Sequence, residues 1–134
     1  MHFDHVGITV TDLDKAAAWY SEALGLREEF SFAMARFDLR GVILISPTGF
    51  RVELLERAGS KPGLTAPDPN TAALTRGYGH MALRVDDVDT TFEALLAAGA
   101  SERLAPRPSP EPGVRMAFVA DPEGNLIELL DRKP

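Results

Sequence analysis

Residues 5–14 read HVGITVTDLD and residues 80–89 read HMALRVDDVD. Laid over one another they match His5 with His80, Val10 with Val85, Asp12 with Asp87 and Asp14 with Asp89, at a constant offset of 75 residues. The same offset returns downstream. SPTGFRVELLE (46–56) and DPEGNLIELLD (121–131) match Pro47 with Pro122, Gly49 with Gly124 and Glu53 with Glu128. Solenoid repeats recur every ~20 to 50 residues, whereas one doubling of this size implies two supersecondary units that form a pseudo-symmetric pair.

Each unit can be read from its periodicity. HVGITV and HMALRV alternate apolar with small or polar residues, the pattern of a half-buried strand. Asp12 and Asp87 are placed to cap helices over LDKAAAWYSEALG and VDTTFEALLAAGA, where Ala16, Trp19, Tyr20 and Leu24, and Phe92, Leu95 and Leu96, fall at helical spacing before stops at Gly25 and Gly99. FSFAMARFDL (30–39), GVILIS (41–46) and VRMAFVA (114–120) read as strands, and SPTG and DPEG as hairpin turns. The reading is α+β: two tandem βαβββ modules forming a curved, barrel-like cleft, with module one at about 1–57, a linker at about 58–77 and module two at about 78–134. The linker is rich in Pro, Gly and Thr, with a short helical turn near TAALTR. APRPSPEPG (105–113) reads as a mobile surface loop or lid.

One helix can cover only one face of a sheet. Val6, Ile8 and Val10 suit that face, so His5, Gly7 and Thr9 point to the bare one; Met81, Leu83 and Val85 likewise oppose His80, Ala82 and Arg84. Val52 and Leu54 oppose Glu53 and Leu55, and Ile127 and Leu129 oppose Glu128 and Leu130. Two of the chain's three His therefore share bare faces with two Glu, all four in repeat register. If the sheets curl around one cleft, His5, Glu53, His80 and Glu128 can close around a single metal ion; otherwise duplication has carried over a satisfied His–Glu pair. His2 reads as a frayed-end residue, and Glu56 and Glu123 as solvated.

Composition excludes several classes. The 134 residues suffice for one domain with a sizeable core, and a net charge of −6 without basic clusters argues against nucleic acid. With no Cys, thiolate nucleophiles and thiolate-held zinc are excluded, and the cytosol is the expected compartment. No apolar run of the eighteen or so residues that cross a membrane is present.

These residues resemble the vicinal oxygen chelate superfamily, whose paired βαβββ modules serve glyoxalase I, methylmalonyl-CoA epimerase, extradiol dioxygenases, fosfomycin-modifying transferases and bleomycin-binding proteins. YGHMALRVDD and AFVADPEGNLIELLD are most similar to bacterial glyoxalase I, a lactoylglutathione lyase. That resemblance implies a divalent ion, nickel, cobalt or zinc, at His5, Glu53, His80 and Glu128, with Glu128 as general base and Glu53 as its symmetric counterpart. It also implies a homodimer acting on a small molecule. A chelated pair of substrate oxygens acidifies the neighbouring C–H, and a carboxylate moves the proton, the chemistry of an isomerase or lyase. Glyoxalase I holds glutathione with an Arg four residues after the first His and an Asn four residues after the first Glu; this chain has Thr9 and Arg57 there. Arg84, the repeat mate of Thr9, is the candidate grip for an anionic substrate, with Arg57 and Thr9 as further contacts. An acyl-thioester epimerase, an extradiol-type dioxygenase and a non-catalytic antibiotic-binding protein are the alternatives.

Overall fold

The computed structural model describes residues 1–133, which form two compact units, Met1–Pro62 and Gly63 onward. The first contains β1 (His5–Thr9), α1 (Leu13–Leu24), β2 (Arg27–Met34), β3 (Leu39–Ile45) and β4 (Arg51–Arg57). The second contains a short α2 (Pro69–Ala72), then β5 (His80–Arg84), α3 (Val88–Ala97), β6 (Ser101–Pro108), β7 (Arg115–Ala120) and β8 (Leu126–Leu130). Strand order is β1-β4-β3-β2 in one sheet and β5-β8-β7-β6 in the other. The first strand of each module runs parallel to the last, and the remaining neighbours are antiparallel. Each module is thus βαβββ, and each sheet is open at both edges rather than closed into a barrel.

Local chemistry sets these elements as the sequence requires. Asp12 accepts from the Lys15 N–H at 3.0 Å and Asp87 from the Thr90 N–H at 2.7 Å, so both helices start on aspartate caps. After α1 the chain turns at Gly25 with φ 65°, a left-handed conformation that costs glycine little. The helix-facing residues are sealed: Val52, Leu54, Ile127 and Leu129 have no exposed surface. Tyr20 on α1 and Phe92 and Leu95 on α3 supply the covering layers. At ~25 cal/mol per Å² of apolar surface this burial is the main stabilising term.

The repeat also duplicates a clasp. Arg40 donates to Glu56 at 3.0 Å and to Asp14 at 3.3 Å, and its mate Arg115 donates to Asp89 at 2.8 Å while its backbone N–H reaches Asp131 at 2.7 Å. Glu56 additionally accepts the Leu13 N–H at 2.8 Å. Glu56, expected to be merely solvated, therefore ties the first turn of α1 to the sheet. Exposed pairs of this kind contribute ~0–1 kcal/mol each, so the clasp orients the helix more than it stabilises the unit. The hairpin turns repeat too. Ser46 accepts the Phe50 N–H at 3.0 Å where Asp121 accepts the Asn125 N–H at 2.9 Å, and Gly49 and Gly124 hold φ of 96° and 92°.

Three stretches differ from the sequence reading. Residues 30–39 are not one strand: β2 ends at Met34, and a 3-10 turn at Ala35–Phe37 with Asp38 at φ 48° reverses the chain into β3. Apolar alternation continues through the turn, which hides it. The segment 58–77 is more than a tether, because Leu64, Ala66 and Ala72 pack with Ala120 and Leu126 in the second unit's core. Of the Pro-rich run, Ala105–Pro108 belongs to β6, an edge strand, where a missing N–H costs no ladder bond. Glu111 in the following connection is held by Arg132. Among the described residues no helix is long and apolar enough to cross a membrane.

Candidate functional site

Pairing register shows which side chains share each bare face. In the first sheet one cross-strand row runs Phe30, Ile43, Glu53, Gly7, and the next Phe32, Gly41, Leu55, Thr9. In the second sheet the equivalent rows run Leu104, Phe118, Glu128, Ala82, and then Arg107, Met116, Leu130, Arg84. Each His precedes its row by two residues on the adjoining edge strand. Alternation therefore puts one His and one Glu together on the bare face of each sheet.

The first pair is His5 Nε2 and Glu53 Oε1, 3.7 Å apart. His5 Nδ1 lies 2.7 Å from Asp4 Oδ1, and this hydrogen bond holds the Asp4 carboxyl below its usual value. A neutral ring that donates from Nδ1 presents the Nε2 lone pair to Glu53. In that tautomer the 3.7 Å gap between Nε2 and Glu53 Oε1 is one a cation can bridge. Gly7 keeps that space clear, since a Cβ there would stand 3.3 Å from Glu53 Oε1. The second pair is His80 Nε2 and Glu128 Oε2 at 3.1 Å, with the His80 ring edge-on to Phe118 at 5.0 Å. Side-chain exposure is 34% and 21% in the first pair, 38% and 17% in the second, so both are reachable from solvent while each carboxylate is the more sheltered partner.

Among the described residues no three His, Asp or Glu come close enough to hold an ion. Each unit presents two donors, imidazole nitrogen and carboxylate oxygen. That donor type suits borderline divalent ions.

The substrate candidates separate. Thr9 is exposed on the same face as Glu53, one row along. Arg84 occupies the corresponding place in the second sheet and is exposed. Arg57 lies four residues beyond Glu53, about 13 Å along the strand. Its guanidinium sits 5.6 Å from the Phe37 ring centroid, with Arg36 at 5.5 Å from the same ring. It lines a cavity of about 630 Å³ with Thr11, Asp38, Arg40, Glu56 and Ser60, which does not include His5 or Glu53. Asp4 and Phe118 escaped the sequence reading, and Gly7 was placed on the bare face without its closeness to Glu53. Asp4 was legible only as the neighbour of His5, and Phe118 only once strand pairing was known.

The family model described as Glyoxalase/Bleomycin resistance protein/Dioxygenase superfamily matches residues 2–129. A probable lactoylglutathione lyase of Vibrio parahaemolyticus is 30% identical over 96% of this chain and 89% of its own length. The lactoylglutathione lyase of Haemophilus influenzae is 28% identical, with 99% and 94% covered. Among solved structures, glyoxalase I from Zea mays superposes with a TM-score of 0.76 at 26% identity, covering 98% of this chain and 44% of the maize chain. A glyoxylase/bleomycin resistance protein/dioxygenase domain from Frankia reaches 0.79 at 22% identity over 99% and 98%, a likeness of fold.

Proposed function

The chain belongs to the Glyoxalase/Bleomycin resistance protein/Dioxygenase superfamily, and on that premise we propose that it is a metal-dependent, glyoxalase I-like isomerase or lyase that works by proton transfer on a hemithioacetal or related small oxygenated substrate. The observation that carries this reading is the twofold occurrence of a His–Glu pair on a bare sheet face, at 3.7 Å in one unit and 3.1 Å in the other. The relatives named lactoylglutathione lyase support the same chemistry.

His5, Glu53, His80 and Glu128 would hold one divalent ion, nickel, cobalt or zinc, one pair coming from each kind of unit. When bound, such an ion supplies Lewis acidity that lowers the pKa of a C–H beside a substrate oxygen. The rest falls to the protein. Glu128 takes the proton from carbon through a carboxylate oxygen and can return that proton to the neighbouring carbon; where Glu53 delivers instead, it starts protonated, and Glu128 then releases its proton to water as Glu53 regains one. Asp4 fixes the His5 ring by its hydrogen bond to Nδ1. Phe118 and Ile43, beside the two Glu in their rows, give each carboxylate an apolar neighbour on one side while the other stays open to substrate. The exposed Phe30 and Met34 on the bare face of the first sheet favour a homodimer that covers them.

Elemental analysis of the purified protein tests the reading, combined with a screen of hemithioacetals and acyl thioesters. About one divalent ion per four-donor set, lowered in His5→Ala and Glu53→Ala, is the expected result. Wild-type occupancy in both variants removes these residues from the metal shell, and oxygen uptake with a catechol in place of isomerisation replaces the assignment with a dioxygenase.

A further inference from the structure

The two bare faces are alike where the Glu stand and unlike one row further on. In the first sheet that next row is uncharged: Phe32, Gly41, Leu55 and Thr9. In the second, past an extra residue in β6 between Leu104 and Arg107 that restores the facing, it begins and ends in arginine: Arg107 on edge strand β6 pairs with Met116, and Arg84 on edge strand β5 pairs with Leu130. Both arginines are exposed. Arg107 makes only a long 3.3 Å bond from Nε to the Ala105 carbonyl, and neither guanidinium has a carboxylate within ion-pair distance among the described residues. By contrast Arg40, Arg51, Arg115 and Arg132 are each neutralised by Glu or Asp.

Two exposed arginines without ion pairs thus flank one apolar strip in an acidic chain, beside the row that holds Glu128. The Glu128 carboxylate repels an anion arriving alone, and the flanking guanidiniums offset that repulsion. The backbones of Arg84 and Arg107 are three strand spacings apart, roughly 14 Å. Their stems can lie inward along Leu130 and Met116 so that both heads meet over the strip.

We propose that Arg84 and Arg107 form a clamp for an oxyanion group, carboxylate or phosphate, on the substrate, with Met116 and Leu130 as its apolar floor. This assigns Arg107 a specificity role, and it orients the substrate with its charged end on the second unit. The proposal rests on the reading above that His80 and Glu128 belong to the reacting centre.

Titration calorimetry with unreactive thioethers, on protein with and without added nickel, separates the clamp from the chemistry. The probes are S-butylglutathione, its diethyl ester and S-butylphosphopantetheine. The wild type should bind at least one charged probe about tenfold more tightly than the ester, with affinity falling as salt rises. If the phosphate probe alone behaves so, the group is a phosphate; if S-butylglutathione does, a carboxylate. Arg84→Gln and Arg107→Gln should each weaken the charged probe about tenfold and the ester less than twofold, and Arg84→Lys should recover part of the loss. Equal binding of charged and neutral probes by the wild type overturns the clamp, as does wild-type binding by either Gln variant. Arginine-dependent binding without any isomerisation upholds the clamp and removes the proposed function. Isomerisation that neither variant alters does the reverse.

Discussion

Gly41 stands in the row where the two sheets diverge, and replacing it by alanine is a sharp test of how that row is packed. The residue is buried and its φ lies outside the left-handed region, so a side chain meets no backbone penalty. The obstacle is purely steric. A Cβ on Gly41 would fall 2.5 Å from Phe32 Cζ, 2.9 Å from Phe32 Cε1 and 2.9 Å from Leu55 Cδ2. Real Cβ atoms do not come so close, so the Phe32 ring must swing away. Phe32 lies on edge strand β2 and stacks on Phe30 with ring centroids 6.0 Å apart, so its movement breaks that stack as well. Overpacking of this kind costs about 1–3 kcal/mol, and the ring's half-exposed position favours the lower half of that range. Gly41→Ala should therefore lose about 1–2 kcal/mol in urea unfolding at an unchanged slope. Phe32→Leu, itself mildly destabilising, should remove most of the penalty when combined with it, giving a coupling of about 1 kcal/mol in the double-mutant cycle. An additive cycle, or a neutral Gly41→Ala, refutes the packing described for this row.

Three further outcomes follow from local geometry. Gly7→Val, which crowds Glu53 Oε1 at 3.3 Å, should lower metal retention about tenfold by competition with a chromogenic chelator while leaving the thermal midpoint within a few degrees. Asp87→Ala, which removes the cap on the Thr90 N–H, should cost about 1 kcal/mol in denaturant unfolding. The hydrogen bonds from Arg40 and then Leu13 hold the Glu56 carboxyl below its usual 4.5, so its contribution is present above pH 4.5 and disappears as pH falls through the lowered value. Glu56→Gln should accordingly flatten the acid limb of a stability–pH curve below 4.5 and leave the neutral plateau slightly lower.

Much of the fold was legible because it is written twice. The 75-residue offset located the caps Asp12 and Asp87, the turns at Gly49 and Gly124, and the faces that carry the His and Glu. Alternation sorted Val52 and Leu54 from Glu53 correctly, since a strand has only two faces. It could not find the reversal at Ala35–Phe37, where apolar residues continue on both sides of the turn. Nor could it find β6, because prolines read as loop unless the strand is known to be an edge. For the site, the sequence brought each His to its Glu but not Arg57 to either pair. The resemblance named Arg57 by its offset of four residues from Glu53 and left the distance along the strand unweighed. Arg107 was invisible for the opposite reason, since only cross-strand register places it in the same row as Arg84.

The proton-transfer assignment meets its most direct test in heavy water. Wild-type protein loaded with nickel, turning over a methylglyoxal hemithioacetal, should place solvent deuterium on the carbon that receives the proton, or in recovered substrate, without oxygen uptake. Glu128→Gln, which keeps a neutral oxygen of similar size, should retain much of the metal and lose about a hundredfold or more in kcat. Full activity in Glu128→Gln contradicts that residue as the base, and product formed with oxygen uptake and no deuterium contradicts the assignment as a whole.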